Sequence, residues 1–506
     1  MKYHVTEPYR AYLFYPHLQS FDSRLKMLLS SKGLLGWEYS GVLRQLAETL
    51  DQIYLPDFVV SFDKWLLEQE VSSTDRYKQY FKNSDEEWRE SIRGKNEFVE
   101  KLAAHVCEST LQCLDIFSDR LLKDKALLTE NFYFPSVIHT GVIDILGGDR
   151  HENGQQPVLL TVNDQHVVYK PRDAQIECVL NKICNISGLK AVCPETLSMK
   201  THIWQKFIPN QPLSAPENAE QVYTQYGNIL ALADLLNIND CHFDNFIVDK
   251  NRVYFIDSET SFQYFFSDDP DYESSIYQSG LLQSPEVLSN GIGHTSAITA
   301  VTNIFQSYTY PHAVNDGSEQ IQVHYEQGFL KRTHNYPHHG GNPVLPDDYI
   351  DNVILGYENG YEKLLSHASE IISLLGKTTT MKPRYLIRTT AYYMLVINKI
   401  IHPGTSLNID EKFSVLINEY LHYDGAHPRF AELIPYEAES LIHYNVPIFQ
   451  MDIHSTSIMT GSGQVIPDFF IAPPLEQVKS NFTRPPCYIE RQRELIRESM
   501  NVHIRQ

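Results

Sequence analysis

The sequence has few cysteines and no long apolar run, and each absence excludes a class of protein. Its 506 residues contain only seven cysteines, and no two of them form a Cys-x-x-Cys pair. A sparse, odd count in a chain of this length argues against a disulfide framework and predicts reduced thiols. Residues 1–8 show no apolar signal-peptide core, and no stretch reaches transmembrane length. We therefore expect a cytoplasmic protein without a membrane span.

Positive charge is also scarce. Lysine and arginine total 42 residues against 63 aspartates and glutamates, which gives a formal net charge of −21. This excess of negative charge argues against electrostatic binding to nucleic acid or to an anionic membrane. A bound triphosphate would therefore depend on local cations or on a metal ion.

The patterning of apolar residues predicts an α+β fold in three consecutive parts. Residues 1–130 form a helical flank, with helical spacing over 9–130. Residues 131–270 form the mixed core, which contains a hairpin at 158–162 and 167–170. Residues 271–506 form a mostly helical lobe, and the three parts together make one functional unit. Helices are expected at residues 174–186, 217–236, 350–374, 384–401, 410–422, 434–442 and 487–500, and a strand at 201–209.

One polar loop and the acidic turn that follows it are the most informative features. Asp240, His242 and Asn245 lie on one loop, and Asp257 and Glu259 come directly after the next predicted hairpin. Kinase-like folds use this order to hold Mg²⁺ with hard oxygen ligands and to orient an attacking hydroxyl. The competing interpretation is an ordinary polar hairpin.

A lysine upstream fits the same chemistry. Lys170 ends a strand of alternating apolar residues, so it needs an anion, either a phosphate or a carboxylate. Glu177, on the following helix, is a candidate partner. The alternative is a solvated lysine at the end of a strand.

Two further polar clusters remain outside the kinase-like set. Asp149 and His151 form an acid/base pair in a glycine-containing loop. Arg384 and Arg388 would share a face of the helix predicted at 384–401, with Thr390 offset from them, and two converging guanidiniums make an anion site. A surface loop and a solvated basic helix start are the respective alternatives.

These pieces, in this order, resemble the dehydratase domain of class II lanthipeptide synthetases, the LanM type. The matching motifs span nearly the whole chain and lie at 148–151, 168–172, 240–245, 257–260, 384–393 and 445–449. The resemblance implies a lipid-kinase-like, two-lobed core with extensive helical flanks and insertions. It also implies a peptide dehydratase that uses ATP and Mg²⁺.

The resemblance assigns the residues to two steps. Phosphorylation of a Ser or Thr in a ribosomally made precursor peptide, recognised through its leader, would use Lys170, Asp240, His242, Asn245, Asp257 and Glu259. Glu177, the candidate partner of Lys170, is counted with the cofactor-binding residues from its position and not from a family motif. Asn245, Asp257 and Glu259 would be the metal ligands. Elimination of phosphate to dehydroalanine or dehydrobutyrine would use Asp149, His151, Arg384 and Thr390.

The sequence also departs from the family pattern. Asp244 replaces the usual Glu, Gln155 stands where Arg is common, and Thr389 replaces the usual Pro. No cyclase-type Cys/His set follows, so we expect a stand-alone dehydratase that serves a separate cyclase or another tailoring enzyme. A peptide kinase that lacks elimination and a non-catalytic precursor-binding scaffold are the two alternatives.

Overall fold

The structure is a computed structural model, and its α+β fold confirms the predicted class. It describes residues 10–68, 76–82, 96–135, 140–266, 275–285, 295–300, 304–308, 312–324, 327–331, 335–405, 408–421 and 428–501. No helix within these residues is long and apolar enough to cross a membrane. The lipid-kinase-like relation stays a prediction.

Helices form most of the regular structure. The α-helices span Ala11–Ser31, Ser40–Glu68, Arg76–Lys82, Glu97–Phe132, Gln175–Ile186, Asn218–Leu235, Ile350–Ser366, Ala368–Lys377, Thr390–Ile401, Ile409–Val415, Ile434–Ile442, Pro474–Asn481 and Pro486–Asn501. A π-helical turn, Leu416–Tyr420, continues the helix that begins at Ile409.

The strands are short. They span Val142–Ile145, Val158–Val162, Gln165–Lys170, Thr196–Ser198, Ile203–Lys206, Phe246–Asp249, Arg252–Phe255, Ile304–Tyr308, His312–Val314, Gln322–His324, Gln327–Lys331, His338–His339, Asn342–Pro343, Phe449–Met451, Ile458–Thr460 and Val465–Ile466.

The chain divides into two compact units, and each is assembled from three separate segments. The first unit comprises Met1–Pro171, Tyr308–Gln327 and Arg388–Pro447. The second comprises Arg172–Ser307, Gly328–Ile387 and Ile448–Gln506. The three-part division at residues 130 and 270 is a division by sequence content and stays a prediction.

Long helices build the core of the first unit. Helices Ala11–Ser31, Ser40–Glu68 and Glu97–Phe132 pack together, because each carries a row of large apolar side chains that can leave water only against a similar row. The first unit also contains a group of buried rings in mutual contact, which consists of Phe58, Phe62, Tyr77, Tyr80 and Phe81.

The first unit also carries the predicted hairpin. Strand Val158–Val162 pairs antiparallel with Gln165–Lys170, and every second side chain of the first strand is buried. Asn163 and Asp164 make the two-residue turn with φ angles of 49° and 61°, a conformation that these two residue types tolerate and that matches the twist of paired strands. The hairpin places Lys170 at its end.

A buried helix organises the second unit. Asn218–Leu235 packs closely on Ile350–Ser366 because Gly227 and Gly356 face each other: a Cβ on Gly227 would overlap the carbonyl oxygen of Val353. The backbones can approach this closely only where side chains are absent. This helix delivers the chain to the polar loop at residue 239.

Most predicted elements are present, and two predictions were wrong. The helices predicted at 174–186, 217–236, 434–442 and 487–500 are confirmed within one or two residues. The described residues of 9–130 are mostly helical, as predicted, and residues 32–39 form turns between two helices. The helix predicted at 350–374 is two helices that meet at His367. The helix predicted from residue 384 begins at Thr390. The backbone N–H groups of residues 384–386 instead donate to the Glu259 and Phe449 carbonyls and to the Gln263 side chain.

The glycine contact gives a stability test. Gly227→Ala should lower the free energy of unfolding by about 1–3 kcal/mol. Overpacking of the close helix contact destabilises the fold by more than the higher helix propensity of alanine stabilises it. Gly376→Ala is the matched control, because a Cβ at this helical glycine meets no atom within 4 Å. Urea unfolding measures both. Equal midpoints for the two variants would contradict the close approach.

Candidate functional site

The polar loop that begins at Asn239 is closed by its own hydrogen bonds. The Asn239 side-chain oxygen accepts a hydrogen bond from the backbone N of Asp240 at 2.6 Å, and the Asn245 amide donates to the Asp240 carbonyl at 2.8 Å. Asp240 has a φ of 59°, a left-handed conformation that costs free energy and is common where function fixes the backbone. Asp240 and Asn245 are therefore held together in the second unit.

A second segment of the same unit lies against this loop. The backbone N of Cys241 donates to the Ser279 carbonyl at 2.8 Å. Gly280 follows with a φ of 79°, and a Cβ there would lie 3.3 Å from the Cys241 nitrogen. Burial, and then the charge of Asp240, raise the pKa of the Cys241 thiol well above its ordinary value. Cys241 is therefore a packed thiol and a poor nucleophile.

His242 faces Asp240. Its Nδ1 accepts a hydrogen bond from the backbone N of Asp244 at 3.3 Å, so the neutral ring carries its proton on Nε2. That nitrogen lies 3.7 Å from Asp240 Oδ1, and both side chains are about one-third exposed. The pair is open to an incoming substrate, and His242 is placed to orient the Asp240 carboxylate.

Three carboxylates surround one arginine after the hairpin. Arg172 Nη2 lies 2.6 Å from Glu177 Oε1 and 3.3 Å from Asp257 Oδ1, and Arg172 Nε lies 3.5 Å from Glu259 Oε2. Glu177 is buried, whereas the Asp257 side chain is 40% exposed. The guanidinium offsets the mutual repulsion of the three carboxylates, and Asp257 is the most accessible of them.

Glu259 binds a second arginine. Arg384 Nη1 donates to Glu259 Oε1 at 2.8 Å, and the Arg384 backbone N donates to the Glu259 carbonyl at the same distance. The Gln263 side chain donates to the Arg384 carbonyl and accepts from the backbone N of Leu386. Side-chain and backbone contacts thus fix Arg384 beside the acidic turn.

The predicted shared face of Arg384 and Arg388 was wrong. Neither residue is helical, and each has its own carboxylate: Arg384 pairs with Glu259 in the second unit, and Arg388 pairs with Glu437 in the first. Because the helix begins only at Thr390, the sequence spacing of four does not place Arg384 and Arg388 on one helical face.

The chemistry of the residues around Asn245 suits a hard metal ion. The backbone N of Ile256 donates to the Asn245 carbonyl at 2.9 Å, which puts Asp257 next to the loop. Within the part of the chain that the structure describes, no three His, Cys, Asp or Glu side chains are grouped to hold a metal ion. A metal held by Asn245 and Asp257 would complete its shell with phosphate and water oxygens, as Mg²⁺ does in phosphoryl-transfer sites. Both Glu259 oxygens already face guanidinium groups.

The remaining predicted residues lie in the first unit. Lys170 is buried at the end of its strand. Glu177 forms an ion pair with Arg172, and the pairing of Lys170 with Glu177 stays a prediction. Thr390, the first residue of its helix, donates from Oγ1 to Asp149 Oδ2 at 2.7 Å. The loop around Asp149 and the helix Thr390–Ile401 are thus in direct contact.

The segment at Val446 holds the loop that contains His151. Val446 N donates to the Arg150 carbonyl at 2.7 Å, and His151 Nδ1 lies 3.1 Å from the Val446 carbonyl. His151 therefore donates from Nδ1 to this carbonyl, which leaves Nε2 of the neutral ring as the acceptor. An imidazole with a fixed acceptor nitrogen is suited to proton transfer.

Arg150 anchors the same loop from the inside. Its buried guanidinium donates to the Thr110 hydroxyl at 2.9 Å, to the Val106 carbonyl at 3.1 Å and to the Ser109 hydroxyl. Burial lowers the pKa of Arg150 to about 10, so the group stays charged at neutral pH. Gly154 is required beside it, since a Cβ there would approach Arg150 Nη2 at 2.6 Å.

Sequence reasoning missed three charged residues, namely Arg150, Arg172 and Glu437. Arg150 and Arg172 lie inside the matched motifs. An arginine among acidic or apolar neighbours in the sequence was the signal that could have predicted a structural charge at each position. Glu437 gave no local signal, because its partners Arg388 and Tyr393 lie more than forty residues away in sequence. Each of the three is buried or nearly buried and bonded to several groups.

Comparison with known proteins agrees with the motif assignment. Residues 98–452 match the family model described as a domain of unknown function, DUF4135. The chain is also 24% identical over 383 residues to the lacticin 481/lactococcin biosynthesis protein LcnDR2 of Lactococcus lactis subsp. lactis. The match covers 69% of this chain and 40% of the relative. The chain therefore spans about two fifths of the length of that relative.

The carboxylate cluster gives a second stability test. Arg172→Met should cost about 3–5 kcal/mol in free energy of unfolding, because it leaves the buried Glu177 carboxylate without its cation. Lys206→Met is the control: it breaks the exposed pair with Glu195, in which both side chains are more than half exposed, and should leave stability nearly unchanged. Urea unfolding at neutral pH measures both. Similar midpoints would rule out Arg172 as the main counter-charge of Glu177.

Proposed function

Because the chain belongs to the DUF4135 family and is of the class II lanthipeptide synthetase type that its motifs resemble, we propose that it modifies a ribosomally made precursor peptide during lanthipeptide maturation. Its relative is named for the biosynthesis of lacticin 481 and lactococcin. The proposed activity is that of a peptide dehydratase, which phosphorylates Ser or Thr with ATP and then eliminates phosphate.

The proposed reaction has two steps. In the first, the Ser or Thr oxygen forms a bond to the γ-phosphorus of ATP, the bond to ADP breaks, and the hydroxyl proton passes to Asp240. In the second, a base removes the Cα proton, the electron pair forms the carbon–carbon double bond, and the Cβ–O bond breaks with loss of phosphate. Phosphorylation is needed because a free hydroxyl is a poor leaving group.

The geometry of the polar loop supports the first step. Asp240 is one-third exposed, has His242 beside it and is fixed through Asn245. Bound Mg²⁺ would neutralise the charge of the triphosphate, and Asn245 and Asp257 are the residues suited to hold it. Lys170 is proposed to contact phosphate oxygens. Glu177 is proposed to act indirectly, because its ion pair with Arg172 positions that guanidinium.

The ion pair between Glu259 and Arg384 is the observation that carries the two-step proposal. It joins a residue proposed for elimination to the acidic turn proposed for phosphorylation. A guanidinium fixed at this position can neutralise the phosphate as it leaves. The hydrogen bond from Thr390 to Asp149, with His151 on the same loop, supplies candidate proton-transfer groups.

The proposed partner is a precursor peptide with a leader segment. Its dehydrated residues are electrophiles that a thiol can attack, so a separate cyclase or another tailoring enzyme is the proposed consumer. The direct experiment incubates the purified chain with ATP, Mg²⁺ and a precursor encoded by a neighbouring gene, followed by mass spectrometry. Loss of one water per Ser or Thr supports dehydration. Gain of a phosphoryl group alone indicates a kinase, and an unchanged mass indicates a scaffold.

Removal of the most accessible carboxylate tests the first step. Asp257→Asn should lower phosphorylation by about 10³-fold or more, because metal positioning and charge neutralisation are lost together. Asp164→Asn, in the exposed hairpin turn, is the control and should keep full activity. The rise in melting temperature that Mg²⁺ and ATP produce should be lost in the Asp257→Asn variant and kept in the control. Peptide modification at the normal rate by Asp257→Asn would reject the metal assignment.

Removal of the Arg384 charge tests whether the steps are separable. Arg384→Met keeps much of the apolar stem and removes the fixed cation, so dehydration should fall by about 10²–10³-fold while phosphorylated precursor accumulates. Lys382→Met, an exposed neighbour, is the control. Normal dehydration by Arg384→Met would exclude its elimination role. Loss of phosphorylation in a folded variant would mean that both steps share one set of residues.

A further inference from the structure

A buried carboxylate lies on the helix that packs against helix Thr390–Ile401. Glu437 lies in the first turn of helix Ile434–Ile442 and has no exposed surface. A carboxylate in the interior is retained at a cost unless cations or hydrogen-bond donors compensate it. Glu437 therefore needs neighbouring cations or hydrogen-bond donors that compensate its burial.

Glu437 binds two residues that flank the start of one helix. Arg388 Nε donates to Glu437 Oε1 at 2.9 Å, and the Tyr393 hydroxyl donates to the same oxygen at 2.7 Å. The Arg388 guanidinium also lies over the Tyr392 ring at 4.8 Å. Arg388 precedes helix Thr390–Ile401 by two residues, and Tyr393 lies in its first turn. One carboxylate oxygen thus fixes the chain on both sides of Thr390.

The helix start is also held by a hydrogen bond from the Tyr392 hydroxyl to the Tyr420 carbonyl. Its N-cap, Thr389, accepts a hydrogen bond from the Tyr392 nitrogen at 3.3 Å, which is long for a cap. The two helices pack against each other, and between them the Glu437 carboxylate accepts the hydrogen bond from the Tyr393 hydroxyl. Rotation of the first turn about the helix axis would carry the Thr390 hydroxyl away from Asp149, which it now contacts at 2.7 Å.

We propose that Glu437 is a positioning residue for the elimination step: through Arg388 and Tyr393 it sets the place of the Thr390 hydroxyl against Asp149. This inference rests on the proposed function. Glu437 itself is buried and touches no substrate. A displacement of about 1 Å between reacting groups can lower a rate on the order of 10²-fold. Glu437 can therefore control the elimination rate through the position of Thr390, without contacting the substrate.

The test measures two rates for each variant: phosphorylation of the precursor with ATP, and elimination from the phosphorylated precursor. Glu437→Gln removes the charge and keeps an acceptor oxygen, and Tyr393→Phe removes one donor with little change in shape. Both should lower kcat for elimination by about 10- to 100-fold, with KM for the phosphorylated peptide and the phosphorylation rate nearly unchanged. Glu439→Gln, an exposed residue of the same helix, is the control and should behave as wild type.

A double variant separates positioning from general stability. If Glu437 acts through Thr390, then Glu437→Gln combined with Thr390→Ala should eliminate no more slowly than Thr390→Ala alone, because residues that act as a unit are non-additive. Additive losses, or a parallel fall of both rates in a folded protein, would overturn the inference. If Glu437→Gln does not fold, Tyr393→Phe carries the same comparison.

The outcomes also separate this inference from the proposed function. An impaired Thr390→Ala variant beside normal elimination by Glu437→Gln and Tyr393→Phe would overturn the role of Glu437 alone. Normal elimination by Thr390→Ala would remove the group that Glu437 is inferred to position. A wild-type chain that never loses phosphate from the peptide would overturn both.

Discussion

The carboxylate of Glu259, shared by Arg172 and Arg384, is the constraint on which the second unit's candidate site depends. Arg172 brings Glu177 and Asp257 into the same cluster, so one group of charges links the start of helix Gln175–Ile186, the acidic turn and the segment at Arg384. A guanidinium in such a cluster cannot leave without exposing like charges to one another. Charges held in this way have defined positions without a ligand, which is the arrangement that the proposed phosphoryl transfer would require.

The first unit applies the same physical rule with single buried charges. Arg150 is held by neutral oxygens of the long helix Glu97–Phe132 and fixes the loop that presents Asp149 and His151. Glu437 fixes the start of the helix that presents Thr390. In each case a buried charge with bonds that are costly to break holds the backbone beside a partly exposed polar side chain. Asp149, His151 and Thr390 thereby have defined positions while remaining partly exposed.

Much of the fold could be predicted from the sequence because its signals are local. Helical periodicity located the helices that begin at Asn218, Ile434 and Pro486, and the Asn163-Asp164 turn located the hairpin. The start of the helix at Thr390 could not be predicted in this way, since residues 384–386 look helical and are held extended by pairing with Glu259, Gln263 and Phe449. The division of the chain into units from separated segments likewise depends on contacts that no local pattern encodes.

The sequence by itself determined which chemical groups are present and which of them share a loop: Asp240 with Asn245, and Asp149 with His151. It also carried the family assignment, because ordered motifs are a property of the chain. Tertiary structure alone decided the charge partners, giving Arg384 to Glu259 and Arg388 to Glu437. The reason is physical: a buried charge is satisfied by whichever opposite charge the packing brings within bonding distance, and that neighbour can lie anywhere along the chain.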